Sequence, residues 1–318
     1  MWWNAERILP ALLPALLLLS QPAPAARYYK YQDENGIWHF TDQKPETDRP
    51  VEERRVRVDP TPIVEVESHR LPTGFELEAD IHLHGPVSLW LSFAGSRNLV
   101  LPAMEQPLRL LGPGKVSLWQ IGVDDPQQSG QLSLAYRALP GWPMDDPTAE
   151  QLLQLPFPAD RRFRISQAFH GDRSHTDGQN AFAVDIVMPA GTPVLAARDG
   201  VVMEAESDFQ GSGQRSYYLD RANRVRLLHE DGSMTVYAHL AFEQVMVKPG
   251  QTVLAGELLG YSGASGYSSG PHLHFVVQGV VDDRLTSLPF RFITADGDLQ
   301  QPETGQWLPR QPLRFPPP

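Results

Sequence analysis

Apolar and polar residues alternate along most of the chain, and few segments have the periodicity of an amphipathic helix. Residues 61–140 contain runs such as "PVSLWLSFAG" and "QLSLAYRAL", separated by proline and glycine. Alternation with a period of two is typical of strands that bury one face, as in antiparallel sheets. We therefore predict a mainly β fold, with a small β-sandwich-like domain over this region.

The same pattern continues over residues 159–285, where glycine and proline cut the chain into short β-prone runs. Asp231-Gly232 separates two of these runs and is a hairpin turn signal. The pattern predicts a compact antiparallel β domain, arranged as a sheet or sandwich.

The segments on either side of this domain carry weaker patterns. Residues 141–158 are expected to be a linker with one short helix, because Pro147 and Thr148 precede leucines at 152, 153 and 155. Residues 286–318 form a C-terminal tail, in which we expect "SLPFRF" to pack against the preceding domain and "PLRFPPP" to be disordered.

The N-terminus has the layout of a cleavable secretory signal. Residues 1–25 combine an early arginine, a short apolar run and the small-residue stretch Ala23-Pro24-Ala25. The run is too short to span a bilayer, and small residues near its end suit a signal peptidase. We predict cleavage after Ala25 or Ala26 and a periplasmic or secreted mature protein.

Residues 26–60 contain two short aromatic runs on either side of Glu34-Asn35-Gly36, a strong hairpin turn signal. This segment resembles a small module of unknown function that stands behind the signal peptide in proteobacterial envelope proteins. By that resemblance we expect a spacer or interaction hairpin, through which another envelope protein could bind.

Composition excludes several classes of function. The chain has 318 residues, a formal net charge of -11 and no cysteine. This length suits two or three domains. The acidic balance argues against a nucleic-acid partner, and the lack of cysteine excludes disulfides, thiolate catalysis and cysteine-ligated zinc. Beyond the signal, no segment is apolar for long enough to predict a transmembrane span.

Two His-x-His triplets occur in the chain, and only one has the neighbours that a metal site needs. His272 and His274 stand in "SSGPHLHFVV", and His82 and His84 stand in "ADIHLHGPV". Residues two apart on a strand share a face, so either pair could approach one ion. Nothing near His82 and His84 completes a site, and we expect them to lie on a solvated strand face.

Residues that could complete a hydrolytic zinc site accompany His274. Such a site takes three protein ligands from His, Asp and Glu and leaves the fourth position for water. Asp185 and His175 are the other candidate ligands, while His272 and His239 remain as imidazoles that do not bind the ion.

Residues 160–285 resemble the lysostaphin/LytM-type zinc endopeptidases, which cut peptidoglycan cross-links. Besides the two ligands above, the matching motifs are "GTPVLAARDGVV", "YAHL", "KPGQTVLAGELLGYSG" and "GPHLHF". The resemblance implies a β fold of the duplicated hybrid motif type and peptidoglycan peptide stems as substrate, cut at a cross-bridge such as D-alanyl to diaminopimelate. The implied Zn²⁺ ligands are His175, Asp185 and His274, and the implied catalytic residues are His239 and His272.

The spacing of the first two ligands departs from the family pattern. The family has His-x-x-x-Asp, whereas Ala181 stands four residues before Asp185. The resemblance therefore requires a longer loop from His175, which is acceptable because metal ligands need to be close only in space. His170 is a rival for the first ligand, and Asn180 is a further alternative.

A zinc site would lower the pKa of its water toward about 7 and polarise the scissile carbonyl. No His-Glu-x-x-His helix supplies a glutamate base here, so the proton acceptor must be a free imidazole. We assign His272 to accept the proton and His239 to stabilise the oxyanion, and an exchange of the two roles is left open.

Two other functions are compatible with parts of the sequence. A non-catalytic relative could bind the cell wall and activate another hydrolase, but such relatives lose site residues and all five positions are filled here. A lipoyl-type or phosphotransfer carrier is suggested by "VKPGQTVLAGELLG". Lys248 stands at a strand end rather than at a hairpin tip, and a cytoplasmic carrier would have no signal peptide, so the enzyme is favoured.

Overall fold

The computed structural model describes residues 26–32, 38–41, 44–56, 59–294 and 296–309. Strands form nearly all the regular structure in these ranges, with one short 3-10 helix, Ser216–Tyr218. No helix among the described residues is long and apolar enough to cross a membrane. The mainly β fold is confirmed, whereas the signal segment, the turn at residues 34–36 and the final "PLRFPPP" lie outside the described residues.

The chain divides into two compact units, Met1–Val58 and Asp59–Pro318. The first unit contains an antiparallel sheet in the order β2-β1-β3. Its strands are β1 (Ala26–Gln32), β2 (Trp38–Thr41) and β3 (Glu52–Val56). The two aromatic runs of the sequence therefore pair with each other, as the hairpin signal between them predicts.

An antiparallel sheet in the order β4-β5-β6, with β7 paired to β5, opens the second unit. Its strands are β4 (Val64–Leu71), β5 (Gly74–Ser92), β6 (Leu108–Gly122) and β7 (Ala135–Pro140). Ile81 and Leu83 of β5 are buried, whereas His82 is exposed and His84 is half-buried on the opposite face. His82 thus lies on the solvent side of its strand, as predicted, whereas His84 on the same face is partly covered.

Fifteen further strands follow in the described part of the second unit. They are β8 (Gln151–Gln154), β9 (Phe163–Gln167), β10 (Val184–Val187), β11 (Pro193–Leu195), β12 (Gly200–Glu206), β13 (Arg224–Leu228), β14 (Met234–Ala238), β15 (Leu240–Val245), β16 (Thr252–Val253), β17 (Leu258–Ser262), β18 (Leu273–Val281), β19 (Arg284–Leu288), β20 (Phe290–Ile293), β21 (Leu299–Gln300) and β22 (Trp307–Leu308).

One large antiparallel sheet organises these strands, in the order β16-β12-β13-β14-β18-β10-β9-β22 with β19 paired to β18. Two small sheets accompany it, β11-β17-β15 and β21-β20-β8. The turn that joins β13 to β14 contains Asp231-Gly232, and Gly232 has a φ of 80°, which suits glycine. The predicted hairpin is confirmed.

The main hydrophobic core lies against one face of the large sheet. Leu273 and Phe275 of β18 are fully buried in it, while His274 between them is only partly buried. Phe290 and Phe292 join the same core from β20, so the segment after residue 285 packs on this domain. Burying each of these large apolar side chains stabilises the fold by about 1.5–3 kcal/mol.

A second buried cluster contains apolar residues from the β4–β7 sheet and from the large sheet. Ile81 and Leu89 of β5 belong to it, together with Met203 of β12 and Met234 of β14. The sheet formed by β4–β7 therefore packs on the large sheet through apolar side chains.

The prediction of a short helix within residues 141–158 is wrong. Residues 151–154 form β8, which pairs in parallel with β20. Gln151 and Leu153 are buried, whereas Leu152 and Gln154 are exposed, so the period is two. Neighbouring leucines fit a helix or a strand equally well, and the partner strand, distant in the sequence, decides between them.

A buried histidine links the core of this domain to pH. His229 follows β13, and its Nδ1 lies 2.7 Å from the carbonyl oxygen of Asp199 while its Nε2 lies 3.0 Å from the hydroxyl of Thr235. Burial lowers the pKa of His229 to about 4, below its ordinary value of 6.5. At mildly acidic pH the imidazole of His229 is therefore protonated in the unfolded chain and neutral in the folded chain.

We predict that the free energy of unfolding decreases as the pH falls from about 6.5 to about 4, with a contribution of about 3 kcal/mol from His229. His229→Gln should remove this part of the pH dependence, as measured by urea unfolding at pH 7 and pH 4. His69→Gln, which changes an exposed histidine of β4, should keep it. An unchanged pH dependence in His229→Gln would contradict this assignment.

Candidate metal centre

Three neighbouring strands of the large sheet bring the predicted site residues together. Asp185 of β10 pairs directly with His274 of β18, and Ala238 of β14 pairs with His274 from the other side. His239 follows Ala238 with a φ of 64°, a left-handed conformation that is costly for a residue with a Cβ. Antiparallel pairing thus brings residues far apart in the sequence together at one end of three interior strands.

His175, Asp185 and His274 form a group whose ligand atoms all lie within 4.8 Å of one another. Asp185 Oδ1 lies 3.3 Å from His175 Nε2 and 2.9 Å from His274 Nδ1. A tetrahedral ion with bonds of about 2.0–2.2 Å separates its ligand atoms by about 3.4 Å. The three side chains are therefore spaced as ligands of one metal ion.

The long loop between His175 and Asp185 folds back on itself. The backbone N–H of His170 donates to the carbonyl oxygen of Ala181 at 2.6 Å and closes the base of the loop. Inside the loop, the N–H of His175 donates to Gly171 O at 3.2 Å, and the His175 side chain is fully buried. A ten-residue step in sequence thus becomes a direct contact in space.

Gln167, the last residue of β9, ties this loop to the carboxylate. Its Nε2 donates to Ser174 Oγ at 2.8 Å and to Asp185 Oδ2 at 3.3 Å, while its Oε1 accepts the N–H of Arg173 at 3.1 Å. One side chain therefore positions both the loop and Asp185. Nothing in the linear pattern of the sequence marks Gln167, and its role is visible only in the fold.

A buried polar network supports the far side of the loop. Gln278 of β18 donates to the carbonyl oxygen of Gln179 at 2.9 Å and accepts from Arg226 Nη1 at 2.7 Å. Arg226 and Arg224 flank the carboxylate of Glu204. Burial raises the pKa of Glu204, but the two guanidinium groups outweigh it and lower the pKa to about 2. The carboxylate is therefore ionised at neutral pH.

The two rivals for the first ligand lie elsewhere. His170 stands at the base of the loop, where its ring packs edge-on against Phe182 at 4.7 Å between centroids. Asn180 contacts the far side of His274, with Oδ1 3.2 Å from Nε2. Among the described residues, the geometry favours His175 as the ligand partner of Asp185, and this choice stays a prediction.

In each of the four imidazoles at the site, the nitrogen that points away from the site contacts a carbonyl oxygen. The Nδ1 atoms of His175, His239 and His272 lie 2.8, 2.7 and 2.8 Å from the backbone oxygens of Ala168, Ser265 and Gly270, respectively. The fourth ring, His274, uses Nε2 and the side-chain oxygen of Asn180. A carbonyl oxygen can only accept, so each of these nitrogens carries the proton and the other nitrogen carries a lone pair.

This tautomer pattern tests whether a metal fits. With the outer nitrogens protonated, the lone pairs of His175 Nε2 and His274 Nδ1 both face Asp185 Oδ1, which is itself an acceptor. Three acceptors that converge repel one another unless a cation lies between them. Two neutral imidazoles and one carboxylate are also a donor set that suits a divalent metal.

Burial and nearby charges also keep an imidazole beside the candidate ligands neutral. Burial, with repulsion from His272 and His274, lowers the pKa of His239 to about 3. His239 is therefore a neutral imidazole at neutral pH.

His239 and His272 lie beside the candidate ligands with their rings 4.6 Å apart between centroids. His272 Nε2 is 3.8 Å from Asp185 Oδ1, and the His239 ring centroid is 5.8 Å from that of His274. All five predicted site residues thus lie in one cluster. The structure brings two free lone-pair nitrogens next to the three candidate ligands.

The control pair does not belong to any such group. His82 Nε2 lies 3.7 Å from Asp80 Oδ1, and neither His82 nor His84 is part of the metal-capable groups found among the described residues. Glu67, His69 and Glu78 form the other such group, on β4 and β5. Glu78 is already paired with Lys115 at 2.8 Å, and the whole group is on the surface.

Residues 179–284 match the profile described as "Peptidase family M23". The matched range contains Asp185, His239, His272 and His274, and it begins after His175. The chain carries a peptidase family M23 domain. The first candidate ligand therefore stands outside the matched range and is supported by the geometry of the M23 domain in this chain.

Named relatives share this M23 domain with the chain. Glycyl-glycine endopeptidase ALE-1 of Staphylococcus capitis is 40% identical over 100 residues, which cover 31% of this chain and 25% of ALE-1. Peptidoglycan DD-endopeptidase ShyA of Vibrio cholerae is 36% identical over 129 residues, covering 39% of this chain and 27% of ShyA. The chain thus spans about a quarter of the length of these relatives.

A solved structure with similarity to this chain is described as a zinc containing peptidase from Vibrio cholerae. It is 28% identical, the match covers 43% of this chain and 39% of that one, and the TM-score is 0.31. At the N-terminus, residues 15–68 match a domain of unknown function, DUF4124. This match agrees with the predicted envelope module of unknown function, although its range begins before residue 26.

We predict that the M23 domain loses its metal when His175 is changed. His175→Ala removes one of three ligands and should lower zinc content after dialysis to a small fraction of the wild-type value. His170→Ala, a matched histidine at the base of the same loop, should keep zinc, as measured by atomic absorption. Loss of zinc from His170→Ala with retention in His175→Ala would show that the other histidine is the ligand.

Proposed function

We propose that this protein is a zinc-dependent endopeptidase that hydrolyses peptide cross-links of peptidoglycan outside the cytoplasm. The observation that carries the proposal is the convergence of His175, Asp185 and His274 with two free imidazoles at one end of the interior strands β10, β18 and β14. The printed activities of the M23 relatives support the peptide bond as the target and peptidoglycan as the substrate class.

Zinc held by His175, Asp185 and His274 would supply a Lewis acid for the scissile carbonyl and would acidify a water molecule. The three ligands carry a single negative charge in total, so the occupied centre keeps a net charge of about +1. That charge favours the negative charge that develops on the carbonyl oxygen during amide hydrolysis.

His272 is the proposed proton acceptor. Its Nδ1–H donates to Gly270 O, so the lone pair of Nε2 is directed to the side where Asp185 Oδ1 lies, 3.8 Å away. A base in this position can take the proton of the attacking water and later return it to the leaving amine. The role predicted for His272 from the sequence is the same.

His239 presents a lone pair rather than a proton to the site. Its Nδ1–H is used by Ser265 O, and its pKa of about 3 keeps the ring neutral. A neutral His239 therefore has no N–H left for an oxyanion, and it can donate only after it has accepted a proton. We propose that His239 shares the proton with His272, which modifies the oxyanion role assigned from the sequence.

The two histidines of "HLH" should respond differently to substitution. His274→Ala should lose zinc and activity together, because it removes a ligand. His272→Ala should keep zinc and the fold but lose about 100-fold to 10,000-fold in rate, the usual contribution of a positioned base. Zinc content, circular dichroism and the rate on a soluble cross-linked muropeptide are the measurements.

The matched control is the second triplet of the same sequence, Ile81-His82-Leu83-His84. His82→Ala and His84→Ala should change neither zinc content nor rate, because neither residue is part of a metal-capable group among the described residues. A wild-type rate in His272→Ala would contradict the proposed base.

The substrate class is tested by digestion of purified peptidoglycan sacculi. Mass spectrometry should show loss of cross-linked muropeptides and a matching gain of monomers with the zinc-loaded protein, and no change after chelation. Zinc-loaded protein that leaves every cross-linked species intact while binding sacculi would instead support an activator of another hydrolase.

A further inference from the structure

Asn180 differs from the other carbonyl groups that hold the four site histidines, because it contacts its histidine through a side chain. Three of the rings are fixed by backbone carbonyls, whereas His274 is fixed by the side chain of Asn180, whose Oδ1 lies 3.2 Å from Nε2. A backbone carbonyl is present whatever the residue, but an amide side chain must be encoded. Among these four contacts, the one to His274 is therefore the one that a single substitution can delete.

An asparagine amide could point either its oxygen or its nitrogen toward the ring, and Asp177 decides which. Asn180 Nδ2 lies 3.1 Å from Asp177 Oδ1 and 3.3 Å from Asp177 Oδ2. An ionised carboxylate only accepts, so the Nδ2 side of the amide must face Asp177. The oxygen of Asn180 is then the atom that faces His274.

Asp177 is itself fixed by the backbone of the loop. Its Oδ1 accepts the N–H groups of Gln179 and Asn180, both at 2.9 Å, and its carbonyl oxygen accepts from Ala181 at 2.8 Å. Asx turns of this kind hold a carboxylate in place without long-range contacts. The orientation of the Asn180 amide is thus set within a few residues of the loop.

We propose that Asp177 and Asn180 are positioning residues that select the tautomer of His274. An acceptor at Nε2 favours a proton on that nitrogen and leaves the lone pair on Nδ1. That nitrogen lies 2.9 Å from Asp185 Oδ1 and is the atom that faces the metal centre. Asp185 Oδ1 favours the opposite tautomer, in which Nδ1–H donates to it. That tautomer places the Nε2 lone pair against the Asn180 oxygen, an unfavourable contact between two acceptors, so Asn180 shifts the ring toward the metal-binding form.

The inference rests on the proposed metal function, because the tautomer of His274 matters to the protein only if this ring binds an ion. Groups that orient metal-binding histidines in this way are worth about 10-fold to 100-fold in metal affinity. Unlike the contacts of Gln167, the Asp177–Asn180 pair acts on the "HLH" histidine from within the unusually long loop. It thus gives that loop a role besides delivering His175.

The test compares substitutions that keep or break the direction of the hydrogen bonds. Asn180→Ala removes the acceptor and should weaken zinc binding about 10-fold to 100-fold, as measured by competition with a chromogenic chelator. Asp177→Asn releases the amide and should also weaken binding. The double exchange, Asp177→Asn with Asn180→Asp, restores a donor at 177 and an acceptor at 180, and it should recover most of the lost affinity.

Nitrogen-15 NMR of the histidine side chains in the metal-free protein reads the tautomer directly. Wild-type protein and the double exchange should show a larger fraction of His274 protonated at Nε2 than Asn180→Ala does. Asp172→Asn makes the same chemical change at an exposed position of the same loop, and it should leave both readouts at wild-type values. Urea unfolding of each variant reports any loss of stability.

Wild-type affinity and an unchanged His274 signal in Asn180→Ala would overturn the inference. So would a weakened Asn180→Ala whose affinity the double exchange fails to restore, since that pattern indicates only a damaged loop. Failure of the wild-type protein to bind zinc would instead reject the proposed function, while the NMR signal of His274 would still decide whether Asn180 selects the tautomer.

Discussion

A single buried carboxylate oxygen sets the requirements for the whole site. Asp185 Oδ1 has imidazole nitrogens of His274, His175 and His272 at 2.9, 3.3 and 3.8 Å. Carbonyl oxygens hold the outer nitrogen of each ring, so the inner nitrogens present lone pairs to a negative oxygen. Such an arrangement is stable only with a cation at its centre, and the surrounding architecture maintains it.

The large sheet and the long loop contribute different parts of this architecture. Antiparallel pairing of β10 with β18 places Asp185 opposite His274, and the alternation along β18 directs Phe275 into the core on the other face. His175 comes from outside the sheet, in a loop whose two ends are joined by backbone hydrogen bonds. Gln167 and Gln278 then fasten the loop to the sheet on two sides.

Much of this could be predicted from the sequence, because the relevant signals are local. The alternation of apolar residues predicts the strands, and Asp231-Gly232 predicts the turn between β13 and β14. The "HLH" triplet at the start of β18 predicts two imidazoles on one face. The solvent-facing position of His82 follows from the same rule, applied to a strand without further ligands nearby.

Other features depend on contacts between distant residues and could not be predicted locally. The leucines near residue 152 fit a helix as well as a strand until β20 is available as a partner. Gln167 and Asn180 are ordinary polar residues in the sequence, and their importance depends on which atoms they meet in the fold. The neutral, lone-pair state of His239 likewise follows from its burial and from Ser265 O.

The proposed function depends most directly on which residues surround the ion. A crystal structure of the zinc-loaded protein, with anomalous diffraction collected at the zinc absorption edge, would identify them. We expect one strong anomalous peak about 2.0–2.2 Å from His175 Nε2, an Asp185 oxygen and His274 Nδ1. A peak bonded to His170, or an occupied site that leaves His175 outside the coordination sphere, would contradict the account.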